Sequence, residues 1–178
     1  MALKGAIAKR YAEAAFSIAK ENNAVEQWLQ DLTFLNDIYS NHQLQFILSE
    51  PKVQFSVKEA IIRDIAAKRM SPMALNFALL IAEHNLVSLT PAILRDFTGI
   101  YDEAKNQAHA VITSAAELDS ETITALRDYV KQHTGKNIIL TQEIDPSILG
   151  GVIVRIGDTL IDASVLRKLK LLRESIAN

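Results

Sequence analysis

The hydrophobic pattern changes its period once along this chain, near His109, and that change decides what each part can fold into. Before it, apolar residues return every three or four positions, as on a helix, and nothing alternates like a strand. After it, Ala110 to Ser114 alternates with period two, and so do Ile138, Leu140, Gln142 and Ile144. The expectation is a mostly α chain: a six-helix bundle over residues 1–107, followed by a small α/β domain over residues 108–178. No Pro/Gly-rich linker separates the two, so the sixth helix itself is the expected connection.

The helices carry readable boundaries. The first spans about Leu3 to Lys20, the second about Val25 to Tyr39, with Trp28, Leu32, Leu35 and Tyr39 on one face, and a short third about His42 to Leu48. Ser56 with Glu59 three residues later reads as a capping box opening the fourth. Ser71-Pro72 and Thr90-Pro91 each set a capping hydroxyl before a proline at the first helical position, where its missing N–H costs nothing. The fifth helix is expected over Pro72 to Asn85, and the sixth from Pro91 to about Gln107. In the second part, Asp119 or Ser120 should cap a helix ending before Gly135. Val152, Val154 and Ile156 should form a strand that turns at Gly157-Asp158 into Thr159–Asp162. Ser164 should cap a last helix with Val165, Leu169, Leu172 and Ile176 on one stripe, and with Arg167, Lys168, Lys170 and Arg173 making it basic. The order is strand, helix, three strands, helix.

Several chemistries find no support. The chain lacks cysteine, which excludes disulfides, thiolate metal sites and cysteine nucleophiles. A net charge of -2 offers no overall field for nucleic acid. No window approaches the roughly 20 uncharged apolar residues of a membrane span, and Met1 to Tyr11 lacks the apolar core of a secretory signal. His42, His84, His109 and His133 show no metal-site spacing, and Glu117, Asp119 and Glu121 suit a helix start, where the dipole favours negative charge. Gly150-Gly151 precedes a strand and not a helix, so a bend or close backbone approach fits it better than a phosphate cradle. No catalytic residue, cofactor or metal ligand is expected.

What stands out is apolar helix surface. On a wheel of 100° per residue, Leu3, Ile7, Tyr11, Ala14 and Ile18 form one stripe, and Ala8, Ala12, Ala15 and Ala19 form another beside it, extended by Phe16. Together they cover roughly twice the ~100° that a one-sided surface helix needs. The fifth helix places Leu75, Leu79, Ala82 and Leu86 on one face, with Phe77, Ala78 and Ile81 behind. Two such helices are either the centre of the bundle or the borders of a groove for a partner's amphipathic helix. Pattern alone leaves both open.

Both ends of the chain resemble a known family. Ala8-Lys9-Arg10-Tyr11-Ala12-Glu13-Ala14-Ala15-Phe16 is similar to the opening A-x-x-Y-A-x-A-x-F of the delta subunit of bacterial F-type ATP synthase, the counterpart of the mitochondrial oligomycin-sensitivity-conferring protein. Ile138 to Gly157 resembles that family's long C-terminal signature in Ile138, Leu140, Ile144-Asp145, Ile148, Gly150-Gly151, Val152, Val154, Arg155 and Gly157. Asp158 to Val165 resembles its G-D-x-x-I-D-x-S-V ending.

The resemblance implies a non-catalytic stator component that joins the catalytic head to the peripheral stalk and resists rotor torque. It implies that the first domain binds the N-terminal helix of an alpha subunit between its first and fifth helices, and that the second contacts the b subunits. Carried over by position, the alpha-binding residues would be Ile7, Tyr11, Ala14, Ile18, Asn76, Leu79, Leu80 and Glu83. Membrane association would come only through the complex, at the cytoplasmic face of a bacterial cell membrane. A free-standing adaptor for another amphipathic helix is the alternative, and a small α/β enzyme in the second part a third.

Overall fold

The computed structural model describes residues 2–157 and 159–167. The chain is mostly helical with one four-stranded sheet, and it divides into two compact units, Met1–Tyr101 and Asp102–Asn178. The first holds α1 (Ala2–Glu21), α2 (Val25–Ser40), α3 (His42–Ser49), α4 (Phe55–Ala66), α5 (Pro72–Glu83), a 3-10 turn (Val87–Leu89) and most of α6 (Thr90–Ala104). The second holds β1 (Gln107–Ser114), α7 (Ser120–Thr134), β2 (Asn137–Ile144), β3 (Val152–Ile156) and β4 (Thr159–Asp162).

In the first unit, the alanine stripe of α1 goes to the core. Ala8, Ala12, Ala15 and Ala19 are fully buried, in one cluster with Trp28, Leu32, Leu35 and Tyr39 of α2 and Ala78, Ile81 and Ala82 of α5. Side chains this small let helix backbones approach closely, which a bulkier stripe would prevent. Ser71 caps α5 as expected, accepting from the Ala74 N–H at 3.4 Å, with Pro72 in the first turn.

Three expected boundaries differ. The Ser56–Glu59 capping box is not formed. The helix already starts at Phe55, so Ser56 lies inside its first turn, and Glu59 instead accepts from Arg63 one turn on at 2.8 Å. Thr90 is not a capping residue either. The 3-10 turn runs straight into α6 with Thr90 in helical conformation (φ -55°, ψ -41°), and its hydroxyl oxygen is buried without a partner. Finally, α6 stops at Ala104 and β1 begins at Gln107, earlier than the sequence suggests. All eight residues of β1 pair with the eight of β2, from Gln107 with Asn137 to Ser114 with Ile144. Ladder bonds formed by residues 107–109 replace the helical bonds that a longer α6 would have made, and Asn106, at φ 49°, makes the turn between them.

The sheet order is β2-β1-β3-β4, with β1 parallel to β2 and the other pairs antiparallel. Alternate residues Ala110, Ile112, Ile138 and Val154 are buried together with Val130 of α7. Asp119 caps α7, accepting from the Thr122 N–H at 2.7 Å and its hydroxyl at 3.0 Å. These bonds hold its carboxyl below the usual carboxylate range. Gly135, at φ 69°, closes the helix in the left-handed conformation. Gly150 and Gly151 both take positive φ, and a Cβ on Gly151 would lie 2.5 Å from the Ala163 carbonyl oxygen. The glycine pair therefore permits a bend and a close backbone approach at once. The Ser164 hydroxyl accepts from the Arg167 N–H at 3.2 Å, as a cap should. The other residues expected in that helix, Lys168, Leu169, Lys170, Leu172, Arg173 and Ile176, lie outside the described residues, as do Asp158 and the side chain of Leu3.

Candidate helix-docking groove

With its alanines inward, α1 leaves its second apolar stripe at the surface. Ile7 and Tyr11 are half-buried, Ala14 is exposed and Ile18 is 40% exposed. On α5 the residues at i, i+3, i+7 and i+10 from Met73 share the outer face. Met73 is 48% exposed, Leu80 is 40%, and Asn76 and Glu83 are also exposed. Ile18, Met73, Asn76 and Leu80 line a cleft of about 400 Å³ together with Trp28 and Phe77.

Phe77, only 7% exposed, gives the cleft its aromatic base. Its ring meets Tyr11 at 6.1 Å between centroids, tilted by 56°, and Trp28 at 5.6 Å, nearly edge-on at 67°. Tilted and edge-to-face pairs of this kind are favourable beyond their area burial. A rigid aromatic base with aliphatic walls and one amide, Asn76, can accept the apolar face of a helix and offer it one polar contact.

Of the eight residues expected at a docking surface, Ile18, Asn76 and Leu80 line the cleft, and Tyr11 touches its base. Ile7 and Ala14 lie on the same α1 stripe, and Glu83 is on the outer face of α5. Leu79 is placed differently. It is 8% exposed and belongs to the core, because the α5 face that carries Leu75 and Leu79 turns inward. Trp28, Met73 and Phe77 lie outside the expected set. Met73 was detectable, being three residues before Asn76 on the same helical face. Trp28 carries only the signal of a core residue on α2, and no sequence pattern places it beside α5.

Among the described residues, no three His, Asp or Glu side chains gather as a metal site. No single helix among them is long and apolar enough to cross a membrane. His109 lies 3.4 Å from Asp102 with its ring half exposed, and His133 contacts the Tyr129 carbonyl at 2.8 Å.

Comparison with known proteins agrees with this architecture. The family model of the ATP synthase delta (OSCP) subunit matches residues 7–176. The chain is 34% identical over 175 residues to the ATP synthase subunit delta of Desulforudis audaxviator (strain MP104C), covering 98% of this chain and 96% of that one. It is 32% identical over 176 residues to the ATP synthase subunit delta of Anaeromyxobacter sp. (strain Fw109-5), covering 98% of each. Among solved structures, a chain in the cryo-EM structure of the Toxoplasma gondii mitochondrial ATP synthase hexamer shares the fold, with a TM-score of 0.69 over 96% of this chain and 97% of that one, at 19% identity. The chain belongs to the ATP synthase delta (OSCP) family, and is thus a non-catalytic, peripheral-stalk subunit of the F-type ATP synthase.

Proposed function

We propose that the groove between α1 and α5 receives the N-terminal amphipathic helix of the alpha subunit, while residues 108–178 grip the b subunits of the peripheral stalk. The chain then ties the catalytic head to the stalk, at the cytoplasmic face of a bacterial cell membrane, and resists the torque of the rotor. Ile7, Tyr11, Ala14 and Ile18 form one wall for the alpha helix. Asn76, Leu80 and Glu83, joined by Met73, form the other.

The observation that carries this reading is the cleft itself, in which Ile18, Met73 and Leu80 remain 40–48% exposed around a buried aromatic base. Covering each of these side chains is worth about 1 kcal/mol. Association costs roughly 4–15 kcal/mol in lost freedom, so one cleft is too little and a helix lying along the whole groove is required.

The test is a titration of the full chain with a synthetic peptide of the alpha N-terminal helix, followed through Trp28, the sole tryptophan and a cleft residue. A saturable emission change at micromolar peptide is expected. Unchanged emission together with no heat of binding at those concentrations overturns the reading. Equal binding of unrelated amphipathic helices would favour a general adaptor instead.

A further inference from the structure

The helix that forms one wall of the groove is tied at both ends by buried charges. At its N-terminus, the Asp31 carboxylate of α2 is 2% exposed. Its Oδ2 accepts from the Ser71 N–H at 3.2 Å and the Ser71 hydroxyl at 2.7 Å, and its Oδ1 accepts from Gln27 at 3.0 Å. Ser71 is the capping residue of α5. At the other end, the Lys58 ammonium of α4 is 3% exposed and donates to the Asn85 side-chain oxygen at 2.7 Å. Asn85, at φ 56°, is the left-handed residue that closes α5: its N–H bonds the Ala82 carbonyl, and the next N–H, of Leu86, bonds that of Ile81. The signs match the helix dipole, negative at its N-terminal end and positive at its C-terminal end.

Such ties are a poor route to stability, because desolvating a charge offsets most of what it gains. They do something that packing cannot. α5 is apolar round most of its circumference, so a roll of about 60–100° would exchange Leu80 and Met73 for Leu79 or Phe77 with little change in buried hydrocarbon. Hydrophobic burial leaves that rotation nearly degenerate. Directed hydrogen bonds remove the degeneracy: the Tyr39 hydroxyl holds the Ala78 carbonyl midway along α5 at 3.0 Å, and the two ties fix the ends.

We infer that Asp31 and Lys58 are positioning residues for the groove, setting the rotation of α5 so that Met73, Asn76 and Leu80 face the docked helix. This rests on the groove being the alpha-helix site. Neither residue touches the partner; both act through α5.

The experiment compares full-length Asp31→Leu and Lys58→Met with wild type and with Leu48→Ala, a cavity-forming control in α3 away from the cleft. Affinity for the alpha N-terminal peptide is measured at a temperature where every variant is folded. Asp31→Leu and Lys58→Met should each bind about tenfold more weakly, with shifted Trp28 emission. Lys58→Arg should retain binding, as should Leu48→Ala despite its larger loss of stability. Wild-type affinity in both Asp31→Leu and Lys58→Met, or an equal loss in Leu48→Ala, overturns the inference. Should Asp31→Leu not fold, Lys58→Met decides. If wild type fails to bind the peptide, the groove reading falls, and amide hydrogen exchange still judges the ties. Faster exchange confined to α5 in Lys58→Met upholds them; unchanged exchange overturns them.

Discussion

The phenolic hydroxyl of Tyr39 on α2 donates a 3.0 Å hydrogen bond to the backbone carbonyl of Ala78, midway along α5. Burial pushes this phenol well above its ordinary value of 10.0, because the phenolate would be stranded without water. Tyr39→Phe should lower the stability of the first unit by about 1 kcal/mol, a fall in Tm of roughly 4–8 °C for a unit of this size. The same residue gives an alkaline signature. Its contribution is whole below the unfolded value of 10.0 and is lost as the pH rises from there through the higher folded value. Urea denaturation followed by Trp28 should show wild type weakening above that pH, and Tyr39→Phe should lack this share of the loss.

Ala14 and Ala15 are neighbours in sequence but face different surroundings, one exposed and the other fully buried. Ala15→Asp places an unpaired charge in the core, at a cost on the order of 3–5 kcal/mol, and should abolish the helical circular dichroism of the first unit. Ala14→Asp should leave that signal intact while weakening the alpha peptide by roughly 2 kcal/mol, about thirtyfold. A folded Ala14→Asp protein with undiminished binding would remove this stripe from the proposed interface.

Gly151→Ala should unfold the second unit selectively. The added Cβ would collide with the Ala163 carbonyl, and φ 80° is a conformation that alanine resists. Together these cost about 3 kcal/mol or more. Trp28 reports only the first unit, so its melting curve should stay in place while the far-ultraviolet transition gains an earlier phase. Coincident, unshifted curves would show that the close approach is not required.

Thr90→Val should stabilise the chain. The Thr90 hydroxyl is fully buried and its oxygen has no hydrogen-bond partner. A methyl group in its place removes a desolvated polar atom, and a gain of about 1 kcal/mol is expected. Thermal unfolding of the two proteins checks this, and a lower midpoint for Thr90→Val would mean that the hydroxyl is satisfied in solution.

Much of the architecture was legible because it depends on neighbours along the chain. The change of period near His109 separates helices from strands. Ser71-Pro72, Asp119 and Gly135 mark helix ends through bonds made within one turn. Ser56 and Thr90 carry the same chemistry and do not cap, since a hydroxyl caps only where the backbone of its own residue stays extended. At Thr90 it is already helical, continuing from the 3-10 turn, and at Ser56 the helix has begun one residue before.

Sequence alone therefore established that α1 and α5 carry more apolar surface than one face can use, and that strands follow. It could not choose between two adjoining stripes on α1, since both are apolar with the same period. Tertiary structure chose, by size: four alanines allow close helix packing, and the stripe of Ile7, Tyr11 and Ile18 was left at the surface, where Ile18 borders a cleft. On α5 it turned Leu79 inward and Met73 outward, and it brought Trp28 from α2 to the same cleft. Periodicity counts faces on one helix, whereas a groove is a property of several helices packed together.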